Sequence, residues 1–161
     1  MIDNYCISIL NAEVCLAEFS TPLPSYSRTQ IQDACRGGLH PHALVGIHLF
    51  NACQFFDAHE ALEAAWMDES GPFRDVYRGI LQTSVAYLHI QRNNYRGAKK
   101  MLTRCQDWLA PFPAECRGID LNGLRSNIRA VETMVTRLGP DGIAGFDPAL
   151  FKPVIVNLPP P

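Results

Sequence analysis

Three side chains that could do chemistry lie at helical spacing near the middle of this 161-residue chain: His59, Glu63 and Trp66. The surrounding segment 55–66 contains no Gly or Pro and is rich in Ala and Glu, so it is predicted to be a helix. At about 100° per residue, the three side chains fall on one narrow stripe of that helix. An imidazole and a carboxylate therefore occupy positions where a core-facing helix usually carries aliphatic residues, and such departures concentrate at functional sites.

A second helix, predicted over 73–92, carries Gln82 and His89 on one face. Only a short Ser-Gly-Pro connection separates it from the first helix, so we expect the two helices to pack antiparallel. In that register Glu63 lies near Gln82, and His59 lies one turn further, towards His89. The sequence therefore predicts one shared polar cluster between the two helices, with the indole as its lid or floor.

One interpretation of this cluster is a metal site. His59, Glu63 and His89 would supply two imidazoles and one carboxylate, a ligand set suited to zinc or non-haem iron. The zinc-protease motif H-E-x-x-H is not completed, because position 63 is Glu where that motif needs His. A divalent metal, zinc or iron, is thus one hypothesis for a cofactor, and metal-assisted hydrolysis is the reaction that it would support.

Two further interpretations need no metal. In a ligand pocket, His59 and Glu63 would act as a catalytic acid–base pair. Gln82 would orient the ligand and Trp66 would stack against it. In a structural network, the same side chains would only hydrogen-bond across the helices and fix their packing, which leaves a non-catalytic interaction domain. The residues leave all three interpretations open, and with them the question of whether the protein is an enzyme.

Helical periodicity continues on both sides of this pair, and no strand alternation interrupts the middle of the chain. The last long helix is predicted to carry a nearly complete apolar stripe that starts at Leu124. Asp120 or Asn122 would cap this helix, and Gly139-Pro140 would end it. The predicted class is all-α: a compact bundle of about five to seven helices around a central antiparallel pair. The segments 51–58 and 93–98 also echo each other weakly, each closing one helix and opening the next.

Composition narrows the class of partner. The net charge is −2, so the chain lacks the basic excess typical of nucleic-acid binding. No apolar run approaches the roughly 18 residues of a spanning helix, and the N-terminus lacks the basic region of a secretory signal. We therefore expect a cytoplasmic protein whose partner is a small molecule, not nucleic acid or a membrane. A homodimer through a helix face is the oligomer to consider.

The six cysteines show no C-x-x-C pair and no metal-ligand spacing. We interpret them as reduced and mostly buried small hydrophobic residues, as is usual in a cytoplasmic protein. They are Cys6, Cys15, Cys35, Cys53, Cys105 and Cys116.

A series of short motifs in this chain resembles the bacterial, archaeal and plant family known as domain of unknown function 309, whose signature is His-x-x-x-Glu-x-x-Trp. The resembling runs, in chain order, are Gly46-Ile47-His48-Leu49-Phe50-Asn51, Phe55-Phe56-Asp57-Ala58-His59-Glu60-Ala61-Leu62-Glu63-x-x-Trp66, Gly79-Ile80-Leu81-Gln82, His89-Ile90-Gln91-Arg92-Asn93-Asn94-Tyr95-Arg96-Gly97-Ala98 and Gly118-Ile119-Asp120-Leu121.

The resemblance implies a compact all-helical bundle in which His59, Glu63 and Trp66 form the signature and Gln82 is their companion. It implies no established reaction, although a metal-dependent hydrolase is loosely associated with the family. The chain departs from the family pattern at Arg78, where Gln is usual, and at Asn93, where Gly is usual. Arg78 would place a cation beside Glu63 and keep that carboxylate ionised, so we include it among the candidate ligand-binding residues.

The resemblance also divides the chain. We expect a single domain over 1–161 with a family-like core over about 44–138. A helical N-terminal extension over 1–40 and an irregular, Pro-rich tail over 141–161 would lie outside that core.

Overall fold

The computed structural model describes residues 22–157, and within them it places six α-helices and one short strand pair. The helices are α1 (Arg28–Ala34), α2 (Pro41–Asn51), α3 (Phe55–Asp68), α4 (Arg74–Gln91), α5 (Tyr95–Leu109) and α6 (Leu121–Gly142). The antiparallel strands β1 (Glu115–Cys116) and β2 (Ile119–Asp120) precede α6, and two 3-10 turns, Ile143–Gly145 and Pro148–Leu150, follow it. The strand pair is absent from the sequence prediction, because two residues per strand are too few for an alternating pattern.

Helix α4 forms the centre of the bundle. Every residue from Asp75 to Ile90 except Arg78 is buried. Helices α3 and α5 pack antiparallel on α4, α2 packs on α3, and α6 packs on α5. Gly79 allows the close approach of α5, since a Cβ there would lie 2.6 Å from Leu109 Cδ2. The predicted all-α bundle with a central antiparallel pair is therefore confirmed.

The ends of the helices follow from local chemistry. The Ser27 hydroxyl and the Gln30 side chain form a reciprocal capping box at the start of α1. The Asp120 carboxylate accepts a hydrogen bond from the Gly123 amide at 2.8 Å and caps α6, as the sequence predicted. Gly139, with φ 67°, interrupts α6 near its end. A left-handed residue followed by proline cannot continue a regular helix, so the predicted stop appears as a kink.

Two turns of the bundle repeat each other at a spacing of 40 residues. The first turn, Ala52–Gln54, joins α2 to α3, and the second turn, Arg92–Asn94, joins α4 to α5. In the first turn Gln54 N–H donates to Leu49 O at 2.9 Å; in the second, Asn94 N–H donates to His89 O at 2.8 Å. Both turns are Schellman motifs with a left-handed residue, Cys53 or Asn93, at their middle position. The weak sequence echo thus corresponds to two helix–turn–helix units.

A disulfide joins Cys35, just after α1, to Cys116 in β1. The prediction that all cysteines are reduced is wrong for this pair. Among the described residues, Cys53 and Cys105 are free thiols. The neighbouring Arg117 reinforces the junction, because its guanidinium donates to Ala34 O and to the Glu69 carboxylate, both at 2.8 Å. Sequence spacing could not reveal the pairing, since the two cysteines are 81 residues apart.

The C-terminal tail packs on the bundle as far as residue 157. Asn51 exchanges two hydrogen bonds with the Val154 backbone, at 2.8 and 3.0 Å. The Phe151 ring stacks on Tyr87 at 4.6 Å between centroids. The tail is irregular, as expected, but it contributes apolar area to the core. The expected N-terminal helix before residue 22 lies outside the described residues.

None of the helices within residues 22–157 combines the length and the hydropathy that a bilayer-spanning helix needs.

Candidate functional site

Two of the predicted polar residues are buried in the two central helices. His59 of α3 is 2% exposed and Gln82 of α4 is 3% exposed. Burial lowers the pKa of His59, and the nearby Glu60 carboxylate opposes that shift only in part. Because the pKa lies below its ordinary value of 6.5, the imidazole is neutral near pH 7. A neutral imidazole offers one nitrogen as a donor and the other as an acceptor.

The side-chain carbonyl of Gln82 is the polar atom of this interface that most needs an explanation. Gln82 Oε1 is buried and accepts no hydrogen bond from any residue within 22–157. An unsatisfied buried acceptor costs about 1–3 kcal/mol. Native proteins rarely keep such an atom without a water, a ligand or a function that uses it.

Trp66, at the end of the predicted stripe, belongs to an alternating stack of arginines and tryptophans. The stack, which we call the Arg–Trp ladder, runs in the order Arg74, Trp66, Arg78, Trp108, Arg104. Successive guanidinium carbons and ring centroids are 5.2, 5.3, 4.1 and 4.5 Å apart. These distances are within the range of cation–π attraction. The ladder joins α3, α4 and α5 along one side of the bundle.

The ladder also gives the register of the α3–α4 pair. Trp66 of α3 lies beside Arg78 of α4. Because the two helices are antiparallel, Gln82, one turn after Arg78, faces residues about one turn before Trp66. Glu63, which is half-buried, and His59 occupy that part of α3. This register agrees with the predicted facing stripes. Direct contact among these side chains stays a prediction, as does the effect of Arg78 on Glu63.

His89 has a different position, at the second turn. The Gly97 amide donates to Asn94 Oδ1 at 2.9 Å, which assigns the Asn94 side-chain orientation and leaves its NH₂ group facing His89. That NH₂ lies 3.0 Å from His89 Nδ1, so this ring nitrogen accepts and the proton of the neutral ring sits on Nε2. Burial, with a smaller contribution from Arg92, lowers the pKa of His89. Close packing holds the ring, since a Cβ on Gly97 would lie 2.8 Å from it.

The metal hypothesis required His59, Glu63 and His89 to converge. Within the described part of the chain, no three His, Cys, Asp or Glu side chains come together as a group able to hold a metal ion. The donor arrangement therefore gives no support to a zinc or iron site built from these three residues.

The structure adds one buried carboxylate that sequence reasoning missed. Asp75, 5% exposed, accepts a hydrogen bond from the Tyr26 hydroxyl at 2.6 Å. Burial raises the pKa of Asp75, while the Tyr26 hydrogen bond and then the Arg78 and Arg74 guanidinium groups oppose the rise. In sequence Asp75 looked like an ordinary acidic residue in the first turn of a helix. Nothing local indicates that a tyrosine 49 residues earlier covers it.

A cavity of about 280 Å³ adjoins this carboxylate and the ladder. Its lining includes Leu23, Pro24, Asp75, Asp107 and Trp108. The Trp108 indole N–H is buried, and no acceptor within residues 22–157 is in reach of it.

The fold and the stripe define a class of protein: an all-α bundle of two helix–turn–helix units with a buried histidine and glutamine between its central helices. The family model described as domain of unknown function (DUF309) matches residues 44–101, which cover most of α2, all of α3 and α4, and the first half of α5. Over this segment the chain is similar to the DUF309 family, which supports the resemblance seen in the sequence. All six candidate site residues lie inside the matched segment. No curated protein matches the chain.

Proposed function

We propose that the α3–α4 interface is a small-ligand pocket in which His59, Glu63 and Gln82 are the recognition residues. The observation that carries this proposal is the buried, unpaired Gln82 Oε1. A ligand N–H or O–H donated to this oxygen would remove a cost of about 1–3 kcal/mol that the ligand-free protein carries. Binding would thus draw on a polar atom that the fold already holds in place.

The polar atoms at this interface indicate what the ligand must offer. Gln82 Oε1 needs a donor, and the Trp66 indole N–H, also buried, has no acceptor among the described residues. The neutral His59 ring can donate a hydrogen bond through one nitrogen and accept one through the other. A small molecule carrying both a donor and an acceptor, such as an amide, an alcohol or a carboxylic acid, fits this set. If catalysis occurs there, His59 and Glu63 are the acid–base candidates. Within residues 22–157, no group of His, Cys, Asp or Glu side chains supports metal-assisted hydrolysis.

The alternative is a non-catalytic interaction domain in which the polar stripe only fixes helix packing. Trp66 favours it, because the Arg74 and Arg78 guanidinium groups already lie within cation–π distance of the indole. His89 favours it as well, because its ring is engaged by Asn94. A cytoplasmic location, a homodimer and the absence of nucleic-acid partners remain predictions under either function.

The two functions predict opposite results for Gln82→Met, which keeps the length of the side chain but removes its polar atoms. For a ligand pocket, the free energy of unfolding in urea should be unchanged or rise by up to about 2 kcal/mol, because an unpaired buried acceptor is lost. Glu63→Gln and His59→Gln should likewise be neutral or stabilising. Ligands found by thermal-shift screening of the wild type should fail to shift the melting temperature of Gln82→Met.

Gln106→Met is the matched control. The Gln106 NH₂ donates to Leu102 O at 2.9 Å and to the Glu132 carboxylate at 2.7 Å. Its replacement should lower stability by about 1–2 kcal/mol. If Gln82→Met is destabilised as much as this control and no ligand emerges from the screen, the pocket is rejected and the interaction domain remains.

A further inference from the structure

The cavity beside Asp75 lies where the end of α5 meets the chain that precedes α1, and its volume is about 280 Å³. Most of its wall is apolar and includes Leu23, Pro24 and Pro111. Two carboxylates, those of Asp75 and Asp107, belong to the same wall, and no Lys or Arg is among its lining residues. The cavity thus combines an apolar surface with a negative charge that no lining cation offsets.

Asp75 brings a buried carboxylate to this cavity. Its Oδ2 accepts the hydrogen bond from Tyr26, and no other residue within 22–157 donates to this carboxylate. A carboxylate can accept about four hydrogen bonds, so most of its capacity is left for a group inside the cavity. Asp107, half-buried on α5, adds the second negative charge. An ammonium group, with one positive charge and three donors, matches this pair.

Trp108 supplies an observation that is independent of the carboxylates. The residue is 2% exposed, and its indole N–H has no acceptor within residues 22–157. The Arg78 and Arg104 guanidinium groups lie over the ring, at 4.1 and 4.5 Å from its centroid. The cavity therefore meets the indole at its edge, where the N–H bond lies. A buried donor without an acceptor is costly, so an acceptor brought in by a ligand is favoured.

We propose that this cavity binds a small aliphatic amino amide, whose ammonium group pairs with Asp75 and Asp107 and whose carbonyl oxygen accepts from the Trp108 N–H. The aliphatic side chain of the ligand packs on the apolar wall. One small molecule then satisfies both carboxylates and the indole. This site is separate from the pocket at Gln82 and does not depend on it.

Calorimetric titration of the full-length protein at pH 7 with leucinamide tests the proposal, because two related probes each lack one of its groups. N-acetyl-leucinamide keeps the carbonyl and the side chain but has no ammonium group. Leucinamide should bind at least about tenfold more tightly, the effect of losing charge-assisted hydrogen bonds. The second probe, 3-methylbutylamine, keeps the ammonium group but has no carbonyl, and it should bind several-fold more weakly than leucinamide.

Variants assign these preferences to the residues. Asp107→Asn keeps the size of the side chain but removes its charge, and should weaken leucinamide binding about tenfold. Asp57→Asn removes an exposed carboxylate of α3 and should bind leucinamide as the wild type does. Trp108→Phe removes the N–H and should abolish the preference for leucinamide over 3-methylbutylamine. Because this preference compares two probes on one variant, a general loss of stability would not imitate it.

Three results would overturn the proposal. One is equal affinity for leucinamide and N-acetyl-leucinamide. Another is the absence of binding heat with leucinamide at about 10 mM, since a ligand of this size should reach millimolar affinity. The third is unchanged affinity in Asp107→Asn. Gln82→Met should bind leucinamide as the wild type does, so failure of the ligand-pocket proposal is distinguishable from failure of this one.

Discussion

The first turn and the second turn share one backbone and differ in their side chains. Each reverses the chain with the same pair of hydrogen bonds around a left-handed residue, Cys53 in one and Asn93 in the other. In the first turn, Gln54 precedes α3 without any side-chain hydrogen bond to it. In the second, Asn94 caps α5 and also binds the His89 ring. Comparison of the two turns thus shows that the turn backbone forms without a side-chain cap, and that the Asn94 hydrogen bonds are particular to the second turn.

This difference changes the interpretation of His89. A 40-residue offset aligns His89 with Leu49, so the turn can be built with an aliphatic residue at that position. The histidine is joined to an asparagine that also satisfies the first turn of the next helix. His89 and Asn94 therefore form a hydrogen-bonded pair, the polar lock, that stabilises the second turn. The buried Gln82 has no comparable partner for its side-chain oxygen among the described residues.

The largest expected effect comes from removing the lock. Asn94→Ala deletes the α5 cap and leaves the buried His89 Nδ1 without its donor, so the free energy of unfolding should fall by about 2 kcal/mol. Gln54→Ala, at the corresponding position of the first turn, should change stability by less than about 0.5 kcal/mol. Urea denaturation of both variants measures the contrast. Equal effects would mean that the two turns are equivalent and that the lock contributes nothing.

A smaller effect should appear in the pH dependence. The pKa values of His59 and His89 are both lowered on folding, chiefly by burial. As the pH falls below about 6.5, the unfolded chain takes up protons that the folded protein refuses, so stability decreases. Each histidine contributes no more than about 1.4 kcal/mol per pH unit. His89→Leu, which installs the residue of the first turn, should flatten the profile between pH 7 and pH 5.

Denaturation midpoints across that pH range provide the measurement, with His42→Leu, an exposed histidine, as the control. A profile that is equally steep in His89→Leu and in the wild type would argue that His89 is not held neutral by the fold.

The smallest effect concerns the left-handed residues. Cys53 has φ 58° and Asn93 has φ 56°. Asparagine tolerates this region better than other residues with a Cβ, which explains how a residue other than glycine can occupy position 93. Cys53→Gly should therefore stabilise the protein by about 0.5–1 kcal/mol, and Asn93→Gly by only a few tenths. Thermal melting of the two variants would rank them, and a larger gain at position 93 would contradict the ranking.

The helices could be predicted from the sequence because their boundaries depend on local chemistry. Gly71-Pro72 separates α3 from α4, and Asp120 begins α6. The candidate site was predictable only in part. Helical spacing predicts that Gln82 and His89 share one face of α4. It could not show that Asn94, three positions after the end of α4, would engage the His89 ring.

Part of the Arg–Trp ladder is visible in the sequence as pairs of residues spaced four apart. Arg74 and Arg78 are four residues apart on α4, as are Arg104 and Trp108 on α5. What the sequence could not supply was the stacking of these pairs across three helices, because the helix faces that meet are chosen by global packing. The Tyr26–Asp75 contact was hidden for the same reason.

The disulfide has a topological consequence for the whole fold. Cys35 lies before α2 and Cys116 lies after α5, so the bond closes a covalent ring around both helix–turn–helix units and the whole matched segment. A protease cut at any one peptide bond inside that ring leaves the two pieces tethered, and they separate only after reduction. A single nick in the first turn or the second turn would thus be invisible by mass under oxidising conditions, apart from one added water.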